Sequence, residues 1–368
     1  MPTSRSNRFE INRASRRVPF GAIALALAAI AASAGSASGQ NMGPDFAADY
    51  VITNLGSVDD VPTSYGGLVF KLGDPSTLLL GGNANSPNAV IMSLSVRRAA
   101  NGSIVGFDCA DPVPFSAAPH IDGGLCYAPN GTLLYTTYSN NSLGQILPGS
   151  VAPDRVDNLD AYGVLPSTGT LAVVPPGFSG AGRLKIASYS FGAWYDATLS
   201  PAGGGLWDFD VTNEGFDGIA IGGGPEGIAY VRAGSPGFAA DSVLVSLFAA
   251  GQIRTYEIDG NGDPIVATGR VFVDGLAGAE GATIDPVTGD FLFSTFGGFN
   301  NLIKVSGFDL GGCTADLNFD GVVDGDDLGS LLGEWNTTGA SPADLTGNCF
   351  VDGDDLGTLL GQWGPCSL

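Results

Sequence analysis

The chain has 368 residues and a formal net charge of −22, a balance that repels nucleic acid and anionic membranes and excludes a nucleic-acid role. Charged residues are only 14% of it while glycine numbers 57, which excludes long solvent-facing helices and favours short strands joined by tight turns. The acid is almost all Asp, 31 against six Glu, a residue suited to turns and calcium loops and poor inside helices.

Residues 1–39 read as an export signal. Arg5, Arg8, Arg13, Arg16 and Arg17 lead into an alanine-rich apolar run from Val18 to Ala32, and Ala32 to Gly39 offers small-residue cleavage positions. A membrane anchor is the other reading, for which the run is short and weakly apolar. No later segment is apolar enough to span a bilayer, so no membrane insertion is expected once the signal is gone. The five cysteines of an exported chain meet conditions that permit disulfides, and Cys109 with Cys126 reads as a local pair.

From Asn41 to Phe308 the sequence is strand-like. Short apolar runs such as Leu133–Tyr138, Val243–Phe248 and Phe291–Phe296 are bounded by Gly, Asn, Pro and Ser. The runs belong to a repeated unit. Asp122-Gly-Gly-Leu, Glu226-Gly-Ile-Ala and Glu280-Gly-Ala-Thr each precede one of them, with weaker copies at Tyr65-Gly-Gly-Leu and Thr168-Gly-Thr-Leu. A spacing of about 50 residues suits a four-stranded blade. The predicted fold is mainly β: a β-propeller over 41–308 with five or six blades, against a β-sandwich as competitor. Asp49–Asn54 is the candidate for a first strand that pairs with the last blade and closes the ring. Asp259-Gly-Asn-Gly-Asp263 reads as a hairpin turn, since Arg270 stands where a calcium loop needs its twelfth ligand.

These repeats resemble the six-bladed propellers of the gluconolactonase and NHL type. That resemblance implies a divalent metal in the central channel, with Asp122, Glu226 and Glu280 as candidate ligands or catalytic groups at the start of the inner strands. Otherwise the three accept backbone hydrogen bonds or face water. A carbohydrate or another small molecule is the ligand such a channel would take. The only histidine, His120, has no Gly-x-Ser-x-Gly nucleophile to serve, and the zinc-type clusters of His and Cys are missing from the sequence.

The last predicted element, 313–366, holds one pattern twice, 28 residues apart. Calcium takes oxygen ligands from loop positions 1, 3, 5, 7, 9 and 12. In the first loop these are Asp316, Asn318, Asp320, the Val322 carbonyl, Asp324 and Asp327; in the second they are Asp344, Thr346, Asn348, the Phe350 carbonyl, Asp352 and Asp355. Position 6 is Gly321 in the first loop and Cys349 in the second. With three carboxylates against four, the second site is expected to bind more weakly. Leu328, Leu331, Leu332 and Trp335 follow at helical spacing, and Leu356, Leu359, Leu360 and Trp363 repeat them. Two such stripes are expected to bury each other.

Loop, helix and duplication together resemble a type I dockerin, a small α-helical EF-hand-like module. The resemblance implies two calcium ions and a cohesin-type protein partner. Gly325, Asp326, Gly353 and Asp354 are then the residues that read that partner. It also implies ends that meet, so Cys313–Cys366 is the preferred pairing, with Cys349 left over. The expected protein is secreted or held at the cell surface, its dockerin attaching a binding propeller to a cohesin-bearing assembly. A dockerin-bearing hydrolase, lactonase-like or polysaccharide-degrading, is the alternative.

Overall fold

The computed structural model describes residues 39–99, 101–108, 112–212, 218–298, 300–307, 315, 317, 322–338, 341, 343–346 and 348–365. Residues 1–38 of the expected export signal, Cys109, Cys313, Cys366 and the loop residues Asp316, Asn318, Asp320 and Gly321 lie outside them.

Five antiparallel sheets form a five-bladed β-propeller, and the described residues make no sixth blade of the kind the sequence allows. The inner strands are Leu68–Lys71, Ile121–Tyr127, Thr168–Val173, Pro225–Val231 and Ala279–Ile284, and we number blades 1 to 5 by them. Each predicted repeat start falls at or just before one of these strands. From there the blades run outward in sequence order, except that in blade 1 Ile104–Phe107 and Val113–Ala117 both pair with Val90–Arg98.

Two strands from the start of the chain break that order. Val51–Asn54 lies antiparallel to Leu302–Ser306 as the outermost strand of blade 5, the closing role expected of it. Asn41–Met42 pairs instead with Arg270–Asp274, the outer strand of blade 4. Both sheet edges are thereby covered. Phe46 and Tyr50, between the two strands, pack with Phe238, Phe272 and Phe291 at ring separations of 5.0–6.3 Å, which locks blades 4 and 5 together.

Glycines let the inner strands meet at the axis. A Cβ at Gly123 would lie 2.0 Å from the Glu226 carbonyl oxygen, and one at Gly227 would lie 2.4 Å from that of Glu280. Gly169 faces Pro225 in the same way, Gly281 faces Gly67, and Gly66 faces Asp122. One glycine in every blade thus stands directly after the register residue Tyr65, Asp122, Thr168, Glu226 or Glu280. The waist of the channel is backbone against backbone.

The turn Asp259–Asp263 closes a hairpin as expected, with the Asp263 and Gly262 amides bonded back to Asp259. The sequence did not betray what Asp263 does. It is buried and accepts from Lys185 Nζ (2.5 Å) and Trp194 Nε1 (2.8 Å) in blade 3. A buried charge is tolerated only when paired and hydrogen-bonded in this way.

Two short helices, Gly325–Gly333 and Gly353–Gly361, are the α-helices among the described residues. Each opens on a capping box, Asp324 with Asp327 and Asp352 with Asp355. The core beneath them is duplicated: Ala315, Val323 and Leu331 pack with Ala343, Val351 and Leu359. The expected mutual burial of the two stripes is only partly met. Leu331 and Leu359 are buried and Leu328 and Leu356 half-buried, but Leu332, Trp335, Leu360 and Trp363 are 51%, 36%, 53% and 49% exposed. Nine residues span only about 14 Å, too short for whole faces to meet.

The cysteine expectations need correction. Cys126 is a free thiol, so the Cys109–Cys126 pair does not form. Burial against the inner strands pushes its pKa up to about 12. Cys349, expected to be left over, is disulfide-bonded. No helix among the described residues is long and apolar enough to cross a membrane.

Candidate metal centre at the channel mouth

The inner strand of each of blades 2 to 5 carries a bulge at the register residue. Pairing slips between Ile121 and Leu125, Thr168 and Thr170, Pro225 and Gly227, and Ala279 and Ala282. A bulge re-aims a side chain and leaves a backbone amide without its ladder partner. In blade 2 the Gly124 amide bonds to Thr136 Oγ1 (3.0 Å), whose hydroxyl donates to Gly169 O in blade 3 (2.9 Å). In blade 5 the Gly281 amide bonds to Ser294 Oγ (2.9 Å), whose hydroxyl donates to Gly66 O in blade 1 (2.6 Å). The same hydroxyls therefore hold the bulges and clasp neighbouring blades.

The bulges bring Asp122, Glu226 and Glu280 together. One carboxylate oxygen from each lies within 4.8 Å of the others, and all three side chains are buried. Both Glu280 oxygens and Glu226 Oε2 accept no hydrogen bond from a surrounding donor, and the Asn85 Oδ1 beside them is likewise unpartnered. Burial raises all three pKa values well above the usual range, joined for Glu226 by repulsion from Asp122 and Glu280 and for Glu280 by repulsion from Asp122 and the hydrogen bond it gives the Asp122 carboxylate. The remaining register residues, Tyr65 and Thr168, point to other work. Tyr65 is buried and exchanges hydrogen bonds with the Val58 backbone, and Thr168 donates to Asn141 (2.5 Å).

A cavity of about 190 Å³ opens over the trio, lined by Asn85, Tyr138, Tyr189, Phe248 and Phe296 as well as the acids. None of these residues is basic. The four aromatics come one from each of blades 2 to 5, each immediately after the second strand of its blade. Tyr189 and Phe248 stand 5.9 Å apart edge to face, as do Phe248 and Phe296. Sequence reasoning missed this collar although its signal was there: Tyr138, Phe248 and Phe296 end the very apolar runs that mark the repeats.

The donor set is oxygen only, three carboxylates and an amide carbonyl, which fits a hard divalent cation such as calcium, magnesium or manganese. Three buried carboxylates with no positive group beside them must take up protons or a cation, and the unpartnered oxygens are the places a cation would occupy. His120, two residues before Asp122, accepts from the Tyr138 amide (3.0 Å) and holds a left-handed conformation (φ 63°), its Nδ1 buried and without a partner.

In the tail, the second loop is described almost whole. Asp344 accepts from the amides of Asn348 (3.1 Å) and Cys349 (2.9 Å). Asp355 accepts from Thr346 N and Oγ1 and from Asp352 N. Cys349 holds φ at 72°, the left-handed turn that position 6 requires and glycine adopts most readily. Of the first loop, Val322, Asp324 and Asp327 are described; Asp327 is buried and accepts from Leu317 N (2.7 Å) and Asp324 N (2.8 Å). Gly325, Asp326, Gly353 and Asp354 form the first turns of the two helices.

No family model matches the chain, and no curated protein matches it. Solved structures do. An auxiliary nutrient binding protein from Bacteroides ovatus is 11% identical, with 70% of this chain and 76% of that one covered at a TM-score of 0.40. A putative gluconolactonase is 12% identical over 72% and 93% of the two chains, TM-score 0.39. A putative glucose dehydrogenase from Thermus thermophilus is 14% identical over 70% and 99%, TM-score 0.38. At these identities and scores the likenesses carry no argument about this chain's chemistry.

Proposed function

We propose that the channel mouth is a divalent-cation centre and that the propeller is a lactonase-like hydrolase of small, oxygen-rich ring esters. One observation carries the reading: three buried carboxylates converge with unpartnered oxygens and no positive side chain to balance them. Asp122, Glu226 and Glu280 would hold the cation, with the Asn85 carbonyl completing one side. Such an ion supplies Lewis-acid polarisation of an ester carbonyl and lowers the pKa of a water. The protein's own part is positional. Tyr138, Tyr189, Phe248 and Phe296 form a collar against which a flat ring packs and from which water is displaced. The tyrosine hydroxyls give that collar its hydrogen-bonding groups.

The test is metal content after equilibration with calcium or manganese, beside hydrolysis of a panel of sugar lactones. Glu226→Gln and Glu280→Gln are each expected to weaken cation uptake by at least about 10–100-fold, the loss typical when even supporting residues of a metal site are changed, and to abolish turnover. A chain that takes up no divalent ion in the channel ends the metal reading. Uptake without turnover of any lactone leaves a binding propeller, not an enzyme.

A second reading concerns the tail and is favoured by its exposed Leu332, Trp335, Leu360 and Trp363. Large apolar side chains repeated on a surface mark a contact site. We propose that the tail binds calcium and docks the propeller to a cohesin-type partner outside the cell, after export directed by residues 1–39.

A further inference from the structure

The second tail loop already holds a cation, and that cation belongs to the propeller. Arg97, on strand Val90–Arg98 of blade 1, donates through Nη1 to Asp344 Oδ2 (3.1 Å) and to Ser341 O (3.4 Å), and through Nη2 to Asp344 O (2.7 Å). The Asp344 side chain is fully buried and that of Arg97 14% exposed, so solvent screens the pair little. Asp344 is position 1 of the loop, the carboxylate on which calcium coordination begins. Its two oxygens also serve the amides of Asn348 and Cys349.

We infer that Arg97 and calcium compete for Asp344, so that calcium in the second loop and attachment of the tail through Arg97 oppose each other. A guanidinium a hydrogen bond away from a carboxylate repels a divalent ion brought to the same oxygens. Calcium must therefore displace Arg97 or share Asp344 with it, and either weakens the ion's hold. By linkage, calcium that does enter loosens the Arg97 contacts by the same factor. The low-affinity loop is thus set by a residue of blade 1, some 247 positions away in sequence, and not only by its own missing carboxylate. The inference rests on the tail binding calcium, as proposed above, and stands whether or not the channel binds metal.

The test is calcium binding to the full-length protein, unmodified and as Arg97→Gln and Arg97→Lys, by calorimetry. Arg97→Gln removes the charge and is expected to tighten one site by about tenfold or more, the scale on which a neighbouring charge shifts a carboxylate's affinity for a proton. Arg97→Lys keeps the charge and is expected to stay close to the unmodified protein. Adding Asp352→Asn to Arg97→Gln must remove the gained affinity, which assigns it to the second loop and not to the channel. Calcium isotherms identical for the unmodified protein and Arg97→Gln overturn the inference; where Asp352→Asn lowers both alike the tail still binds calcium, and where it alters neither the tail reading falls as well. Should Arg97→Gln fail to fold, arginine-labelled unmodified protein provides the reading. Its Arg97 guanidinium resonances are expected to shift and lose protection from exchange at saturating calcium, and unchanged resonances overturn the inference.

Discussion

At the scale of single residues the decisive feature is the crowding of Asp122, Glu226 and Glu280. Their folded-state pKa values are raised, so the folded protein holds protons there that the unfolded chain releases. The sign follows: stability is fully present below the unfolded values near 3.8 and 4.5 and falls as pH rises through the folded values. Metal-free protein is therefore expected to lose melting temperature from about pH 5 upward, and Glu226→Gln with Glu280→Gln to flatten the decline. Saturating divalent cation should flatten it as well. Melting curves from pH 4 to 8 with and without chelator measure this, and a metal-free protein that gains stability over that range contradicts the burial of the trio. Much of this was legible beforehand, because each acid stands before a glycine at a repeated register. That Asp122 and the two glutamates converge, while Tyr65 and Thr168 turn to local partners, was not. It depends on bulge geometry, which leaves no mark in composition.

At the scale of elements, strand starts were legible and strand ends were not. The glycine after each register residue announces an inner strand, and the reason is steric: these backbones touch. Gly227→Ala would set a methyl 2.4 Å from the Glu280 carbonyl oxygen. It is expected to destabilise the propeller by at least the ~1–3 kcal/mol of ordinary overpacking, read as a lower melting temperature. Gly329→Ala is the control, since nothing lies within 4 Å of its added methyl. In a helix interior it should gain roughly 0.5–1 kcal/mol. Equal effects from the two would show that the waist is looser than it looks. The aromatic collar escaped notice because periodicity cannot tell a residue closing a hydrophobic run from one just beyond it. The same limit applied to the tail. A spacing of 3, 4 and 7 marks an apolar face without saying whether it turns to a sister helix or to solvent.

At the scale of the whole molecule, propeller and tail are read by different tests. If the tail docks, Trp335→Ala with Trp363→Ala should abolish capture by a cohesin domain. Calcium uptake and the β-sheet circular dichroism should stay unchanged, because neither indole lies among the loop oxygens. Undiminished capture would move the docking face elsewhere. The ring itself was legible from its repeats, and its closing strand from position alone. That the chain also lends Asn41–Met42 to blade 4 was not, since two residues carry no period. This double closure has a consequence for how the protein is made. Residues made before the first blade find their partners only in segments of the fourth and fifth blades, Arg270–Asp274 and Leu302–Ser306. The ring therefore stays unsealed, with the first three blades already made, until synthesis has passed the fifth.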